Sequence, residues 1–184
     1  MEKIKILAIV GSLRQGSYNK KLAICAKEIM KNEVDFEILN YDEVPSFNQD
    51  KEFPTPEAVR VVREKVKAAD GIWFFTPEYN HFFPGVLKNL IDWLSRPEEG
   101  TKSRVLSRKP VAISGATPGM SGTGIAQDHL VTLLSLLNMD IMNVPRLTIP
   151  NVGNQLDGND ELILNESESY LSKQAEAFVK YIRK

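Results

Sequence analysis

Apolar positions along this chain fall into runs of two alternating kinds. Lys3 to Val10 is a continuous aliphatic run that stops at Gly11, the pattern of a strand buried on both faces. From Asn19 to Met30, the apolar Leu22, Ala26, Ile29 and Met30 return at helical spacing. Val34 to Leu39 alternates, with Val34, Phe36 and Ile38 on one side, and reads as a second strand. Tyr41 to Pro54 is a long connection broken by Pro45, Asn48 and Asp50, after which Pro56 opens a helix with Val59, Val62 and Val66 on one stripe. Gly71 to Thr76 is a third buried strand, followed by the loop Pro77 to Phe83. Pro84 begins a helix with Leu87, Leu90, Ile91 and Leu94 at the i, i+3, i+4, i+7 positions.

The second half repeats the alternation. Pro97 to Lys109 is charged and irregular, and Pro110 to Ser114 reads as a fourth strand. A glycine-rich loop, Gly115 to Gly124, leads into a helix from about Ile125 to Met139. A short strand is expected near Ile141 to Ile149 and a loop at Asn151 to Asp160. Glu161 to Arg183 carries Leu171, Gln174, Ala175, Phe178, Val179 and Ile182 as a final amphipathic helix. Strands interleaved with helices in this way predict an α/β three-layer sandwich with a five-stranded parallel sheet. Right-handed crossovers leave few topologies, and the order 2-1-3-4-5 is the expected one. Residues 1–184 are expected to form one domain, since no linker, repeat or low-complexity segment interrupts them.

Composition narrows the function classes. The 23 basic and 24 acidic residues leave a formal charge of −1, which gives no electrostatic reason to expect nucleic acid or an anionic membrane as partner. The apolar run Ile6 to Val10 behind Lys3 and Lys5 is too short for a signal core or a membrane span, so a cytoplasmic location is expected. A single cysteine, Cys25, excludes an internal disulfide and any CxxC metal site, and reads as a small buried or half-buried residue of the first helix. Two separated histidines, His81 and His129, and no clustered carboxylates make no metal site.

Ligands of open parallel sheets bind beyond the carboxyl ends of strands where the strand order reverses, here between the first and third strands. The loop Gly11 to Asn19 carries Ser12, Ser17 and Asn19 as polar donors and Arg14 as a cation, and empties into a helix N-terminus that favours an anion. A terminal phosphate suits it, and so does a plain turn in which Ser17 or Asn19 merely caps the helix. Spacing alone leaves both open. No GxxxxGK[ST], GxGxxG or GxSxG motif is present. The loop Thr76 to His81 sets Pro77, Glu78, Tyr79 and Asn80 in a row, able to lay N–H groups along the polar edge of a planar ring that Tyr79 covers. The glycines of the third loop permit close backbone approach.

These loops together resemble the NADPH-dependent FMN reductase family, the flavodoxin-like quinone, azo and chromate reductases. The resemblance rests on Gly11-Ser12-Leu13-Arg14 with Ser17 and Asn19, and on Thr76-Pro77-Glu78-Tyr79-Asn80 with Pro84-Gly85, Leu87-Lys88-Asn89 and Ile91-Asp92-Trp93. Gly122, Ala126-Gln127 and His129-Leu130 add to it. It implies that Ser12, Arg14, Ser17 and Asn19 hold the phosphate of FMN, with Tyr18 in the same cofactor-binding set. It further implies that Pro77, Glu78, Tyr79 and Asn80 border the isoalloxazine ring and that Gly115, Ala116 and Thr117 face its pyrimidine side. Reduced nicotinamide, NADPH or NADH, would be the donor and a small molecule the acceptor, with no protein acid or base required. A flavodoxin-type electron carrier is the alternative. Where relatives often carry an arginine after paired glycines, this chain reads Gly122-Thr123-Gly124-Ile125; Arg96, Lys102, Arg104 and Arg108 are the candidates to replace it. Leu130, Val131, Leu133, Leu134, Leu136 and Leu137 make the fourth helix apolar nearly all round. A subunit interface in a homodimer or homotetramer, joined by Trp93, would cover it, and cover by the C-terminal helix is the other possibility.

Overall fold

The computed structural model describes residues 3–184. Its strands are β1 (Ile4–Val10), β2 (Val34–Ile38), β3 (Gly71–Phe75), β4 (Pro110–Ala116), β5 (Asp140–Ile141) and β6 (Leu147–Ile149). Its helices are α1 (Tyr18–Met30), α2 (Glu57–Ala68), α3 (Gly85–Ser95), α4 (Gly124–Leu136) and α5 (Glu168–Ile182). The sheet runs β2-β1-β3-β4-β5, all pairs parallel, with β6 also on β4. This is the expected flavodoxin-like order, and it puts the carboxyl ends of β1 and β3 side by side, with Val10 opposite Phe75.

Alternation along β1 decides which helices lie on which face. Ile6, Ala8 and Val10 pack with Leu22, Ala26 and Met30 of α1 and with Leu171, Ala175 and Phe178 of α5. Leu7 and Ile9 face the opposite way, onto Val62 and Val66 of α2, Leu87 and Leu90 of α3, and Leu130 and Leu134 of α4. Helix α5 therefore lies across the sheet from α4 and does not cover it. A buried polar chain fixes α5 in place. The indole N–H of Trp73 donates to Ser114 Oγ (2.9 Å), which donates to Gln174 Oε1 (2.6 Å), whose amide reaches the carbonyls of Ile113 and Pro145. Each of these buried groups has a partner, so the chain specifies the docking of α5 without leaving an unsatisfied group.

Three expectations need correction. The strand near Ile141 to Ile149 is two short pieces, because residues 142–146 leave the ladder around Pro145, which has no N–H to give it. The last helix begins at Glu168 rather than Glu161. Leu162 pairs with Leu156 in an antiparallel bridge, and Leu162 and Leu164 are buried in the α1–α5 core, which holds the segment off helical geometry. Trp93 is not free for an interface. Its indole N–H donates to the Pro45 carbonyl (2.7 Å) and its ring meets Phe47 edge-on at 4.9 Å. Asn89 completes the attachment, accepting from Phe47 N (2.7 Å) and donating to Pro45 O (2.9 Å). A buried indole needs an acceptor, and the 45–47 backbone supplies it.

Candidate functional site

At the carboxyl edge of β1, β3 and β4 a cleft of about 430 Å³ is walled by Ser12, Arg14, Ser17, Tyr18, Asn19, Pro77, Glu78, Tyr79, Ala116, Thr117 and Pro118. Of the expected site residues, only Asn80 and Gly115 stand outside that wall. The three loops meet because β1, β3 and β4 are neighbours in the sheet and end on the same edge.

The first loop is tied at its start, where Gly11 N donates to Phe75 O (2.8 Å), and closes on a turn from Ser17 N to Arg14 O (3.1 Å). Ser17 caps α1, its hydroxyl accepting from Lys20 N (3.3 Å), so the capping reading holds for this residue. Among the described residues, the N–H groups of Leu13, Arg14, Gln15, Gly16, Tyr18 and Asn19 find no acceptor in the chain. A row of unpaired donors running into a helix N-terminus is an anion cradle. The guanidinium of Arg14 lies 5.1 Å over the Tyr18 ring and donates to the Gly16 carbonyl, leaving its remaining N–H groups available. Asn19 is buried and spends its amide otherwise: Nδ2 donates to Ala116 O and Oδ1 accepts from Ala116 N, both at 2.9 Å. It clamps the end of β4 against the start of α1.

The second loop is a two-residue hairpin. Tyr79 and Phe82 exchange backbone hydrogen bonds of 2.8 and 3.0 Å, with Asn80 (φ 52°) and His81 (φ 59°) both left-handed, as a type I′ turn demands. Asn tolerates that region better than His, so His81 carries local strain. The Glu78 side chain is only 6% exposed. Its Oε2 accepts from Ala126 N (3.0 Å) in the first turn of α4, and its Oε1 lies 3.3 Å from Nδ1 of His81. No side chain of the adjoining sequence caps α4; a carboxylate from the second loop does so across the cleft floor. Among the described residues, the N–H groups of Glu78 and Asn80 find no acceptor.

The third segment starts later than expected. Gly115 and Ala116 belong to β4, paired with Thr148 and Ile149 of β6. A Cβ on Gly115 would lie 2.2 Å from Thr123 Oγ1 and 2.3 Å from the Thr76 carbonyl oxygen. Gly115 thus lets β3, β4 and the start of α4 close up behind the wall that Ala116, Thr117 and Pro118 form. Sequence reasoning missed Pro118 as a wall residue, although it lies in the glycine-rich loop. It also missed the capping of α4 by Glu78, for which a separation of 48 residues leaves no sequence signal. His129 is outside the cleft, its ring 4.6 Å from that of Phe82. Arg96, Lys102, Arg104 and Arg108 precede β4, at the opposite edge of the sheet, where Arg96 pairs with Glu52 (2.9 Å); they cannot serve this cleft.

Residues 4–154 match the NADPH-dependent FMN reductase family. The chain is 37% identical to an NAD(P)H-dependent FMN reductase of Pseudomonas aeruginosa, over 100% of this chain and 97% of that one. It is 34% identical to a 2-hydroxy-1,4-benzoquinone reductase of a Burkholderia species, over 98% and 97%. Among solved structures, the flavoenzyme NAD(P)H:(acceptor) oxidoreductase FerB of Paracoccus denitrificans superposes with a TM-score of 0.88 at 29% identity, covering 98% of both chains. The match along the chain places this protein in the NADPH-dependent FMN reductase family.

Proposed function

We infer that the cleft holds FMN and that the protein passes electrons from NADPH or NADH to quinones. The chain is an FMN-dependent NAD(P)H oxidoreductase by family; the residue roles and the acceptor class are our reading. The observation that carries the roles is the set of unpaired N–H groups in the first loop, of which those of Arg14, Tyr18 and Asn19 belong to residues that wall the cleft. Such donors at the positive end of α1 suit a dianionic phosphate, and the unpaired N–H groups of Glu78 and Asn80 suit the polar edge of a planar ring. A cleft of about 430 Å³ is of ordinary size for a cofactor. The residues present therefore fit FMN.

Bound FMN supplies the chemistry, accepting electrons from reduced nicotinamide and delivering them to the acceptor. The protein's part is to bind and orient. Ser12, Ser17 and Arg14 hold the phosphate beside Tyr18, while Pro77, Glu78, Tyr79 and Asn80 border the ring and Ala116 and Thr117 face its pyrimidine side. Asn19, Gly115 and Glu78 act through position, fixing the end of β4 and the start of α4. Tyr79, half exposed at the lip, leaves the ring open to flat acceptors. That openness supports a range of small acceptors, including azo compounds, free flavin and metal oxyanions, and the benzoquinone reductase among the relatives favours quinones first.

Association as a homodimer or homotetramer is supported by α4. Ile125, His129, Leu133 and Leu136 recur along one side of it, and Leu136 is 80% exposed. A cytoplasmic site of action fits the free Cys25, and among the described residues no helix is long and apolar enough to cross a membrane. Steady-state oxidation of NADH and NADPH by the FMN-loaded protein, with a panel of quinones, azo dyes and free flavin, tests the reading. Turnover fastest with quinones is expected. A flavin that binds yet stays oxidised under NAD(P)H would make the protein an electron carrier instead.

A further inference from the structure

A second cavity, about 510 Å³, lies on the other side of the first loop, between it and the chain leaving β2. Ser12 and Arg14 line both spaces, so the two adjoin. We propose that this groove receives the adenosine diphosphate end of the nicotinamide donor, a proposal that rests on the oxidoreductase reading above. The floor is rigid, because buried Tyr41 donates its hydroxyl to the Val10 carbonyl (2.6 Å) and ties the β2 exit to the end of β1. Burial pushes the Tyr41 phenol pKa up, so that donor stays in place across the neutral range.

The lining combines what a nucleotide needs. Leu13, 48% exposed, together with half-buried Ile38 offers apolar surface to a flat base. Lys20 offers an ammonium that, among the described residues, makes no ion pair or hydrogen bond, while Lys21 beside it is paired with Asp160. Asn40 and Asp42 stand together on the β2 exit, the Asn40 amide oxygen accepting from Asp42 N (3.4 Å). The Asp42 carboxylate has no cationic partner among the described residues. A carboxylate just beyond the second strand of a parallel sheet suits a ribose diol and opposes a 2′-phosphate.

The charge inventory points the same way. Among the described residues, Arg14 and Lys20 are the only cations lining either cavity. With Arg14 assigned to the cofactor phosphate, Lys20 is left for the donor's pyrophosphate. The basic stretch before β4 lies at the far edge of the sheet.

The test uses FMN-loaded protein and two donors, NADH and reduced nicotinamide mononucleotide, which lacks the adenosine half. Calorimetric titration with ADP should show binding that Lys20→Ala weakens by about fivefold, the scale of one partly exposed charge contact. The same variant should lower the ratio of kcat/KM for NADH over that for the mononucleotide by a similar factor. Asp42→Asn should raise kcat/KM for NADPH relative to NADH, since the removed charge opposes only the 2′-phosphate. Failure of ADP to bind the wild type, or an unchanged donor ratio in Lys20→Ala, overturns the proposal. Loss of FMN binding or of all NAD(P)H oxidation in the wild type would instead strike the function from which it starts.

Discussion

Two residues of the first loop show how neighbours in sequence divide labour. Arg14 is exposed and touches only the Gly16 carbonyl and the Tyr18 ring. Arg14→Ala should leave the melting temperature of the apoprotein unchanged while weakening FMN binding by roughly tenfold to a hundredfold, the worth of one charge-assisted phosphate contact. Flavin-fluorescence titration reads this directly. Asn19 should behave in the opposite way. Asn19→Ala strips the N–H and C=O of buried Ala116 of their partners, costing roughly 2–3 kcal/mol of folding stability. Denaturant unfolding of the apoprotein would show that loss before any flavin is added. Ser17 as the cap of α1 and the place of Arg14 in the loop before it were legible in the sequence because each depends on neighbours a few positions away. The clamp from Asn19 was not, since its partner lies 97 residues on and only the fold brings them together.

At the scale of elements, β4 and α4 depend on a junction with no spare room. Gly115, Thr76 and Thr123 meet there at distances that exclude even a methyl group. Gly115→Ala should destabilise the protein by about 1–3 kcal/mol, the cost of overpacking a closed site, and thermal unfolding will register it. The periodicity of apolar residues located all five α-helices and the first four strands. It could not reveal that residues 142–146 leave the sheet or that residues 161–164 are irregular with Leu162 and Leu164 turned into the core, because an apolar segment reads alike in a strand and in a buried loop. Trp93 was misplaced for a related reason. A large aromatic off the helix stripe signals cover of some kind, and here the cover is the chain's own 45–47 segment.

For the whole molecule, the two faces of the sheet are finished differently. The α1 face is closed by α5, whereas α4 leaves the side chains of Ile125 and Leu136 exposed. If that side joins subunits, light scattering at micromolar concentration should give at least twice the chain mass, and Leu136→Glu should shift it toward the monomer. A wild-type monomer would remove the interface. The central claim, that the cleft between the ends of β1 and β3 is an FMN site serving NAD(P)H oxidation, is tested most directly by titrating FMN into apoprotein and then adding NADH or NADPH without oxygen. We expect saturable, stoichiometric binding, weakened in Arg14→Ala, and bleaching of the visible flavin absorbance that a quinone restores. Binding that is absent, or equally tight without Arg14, would contradict the site.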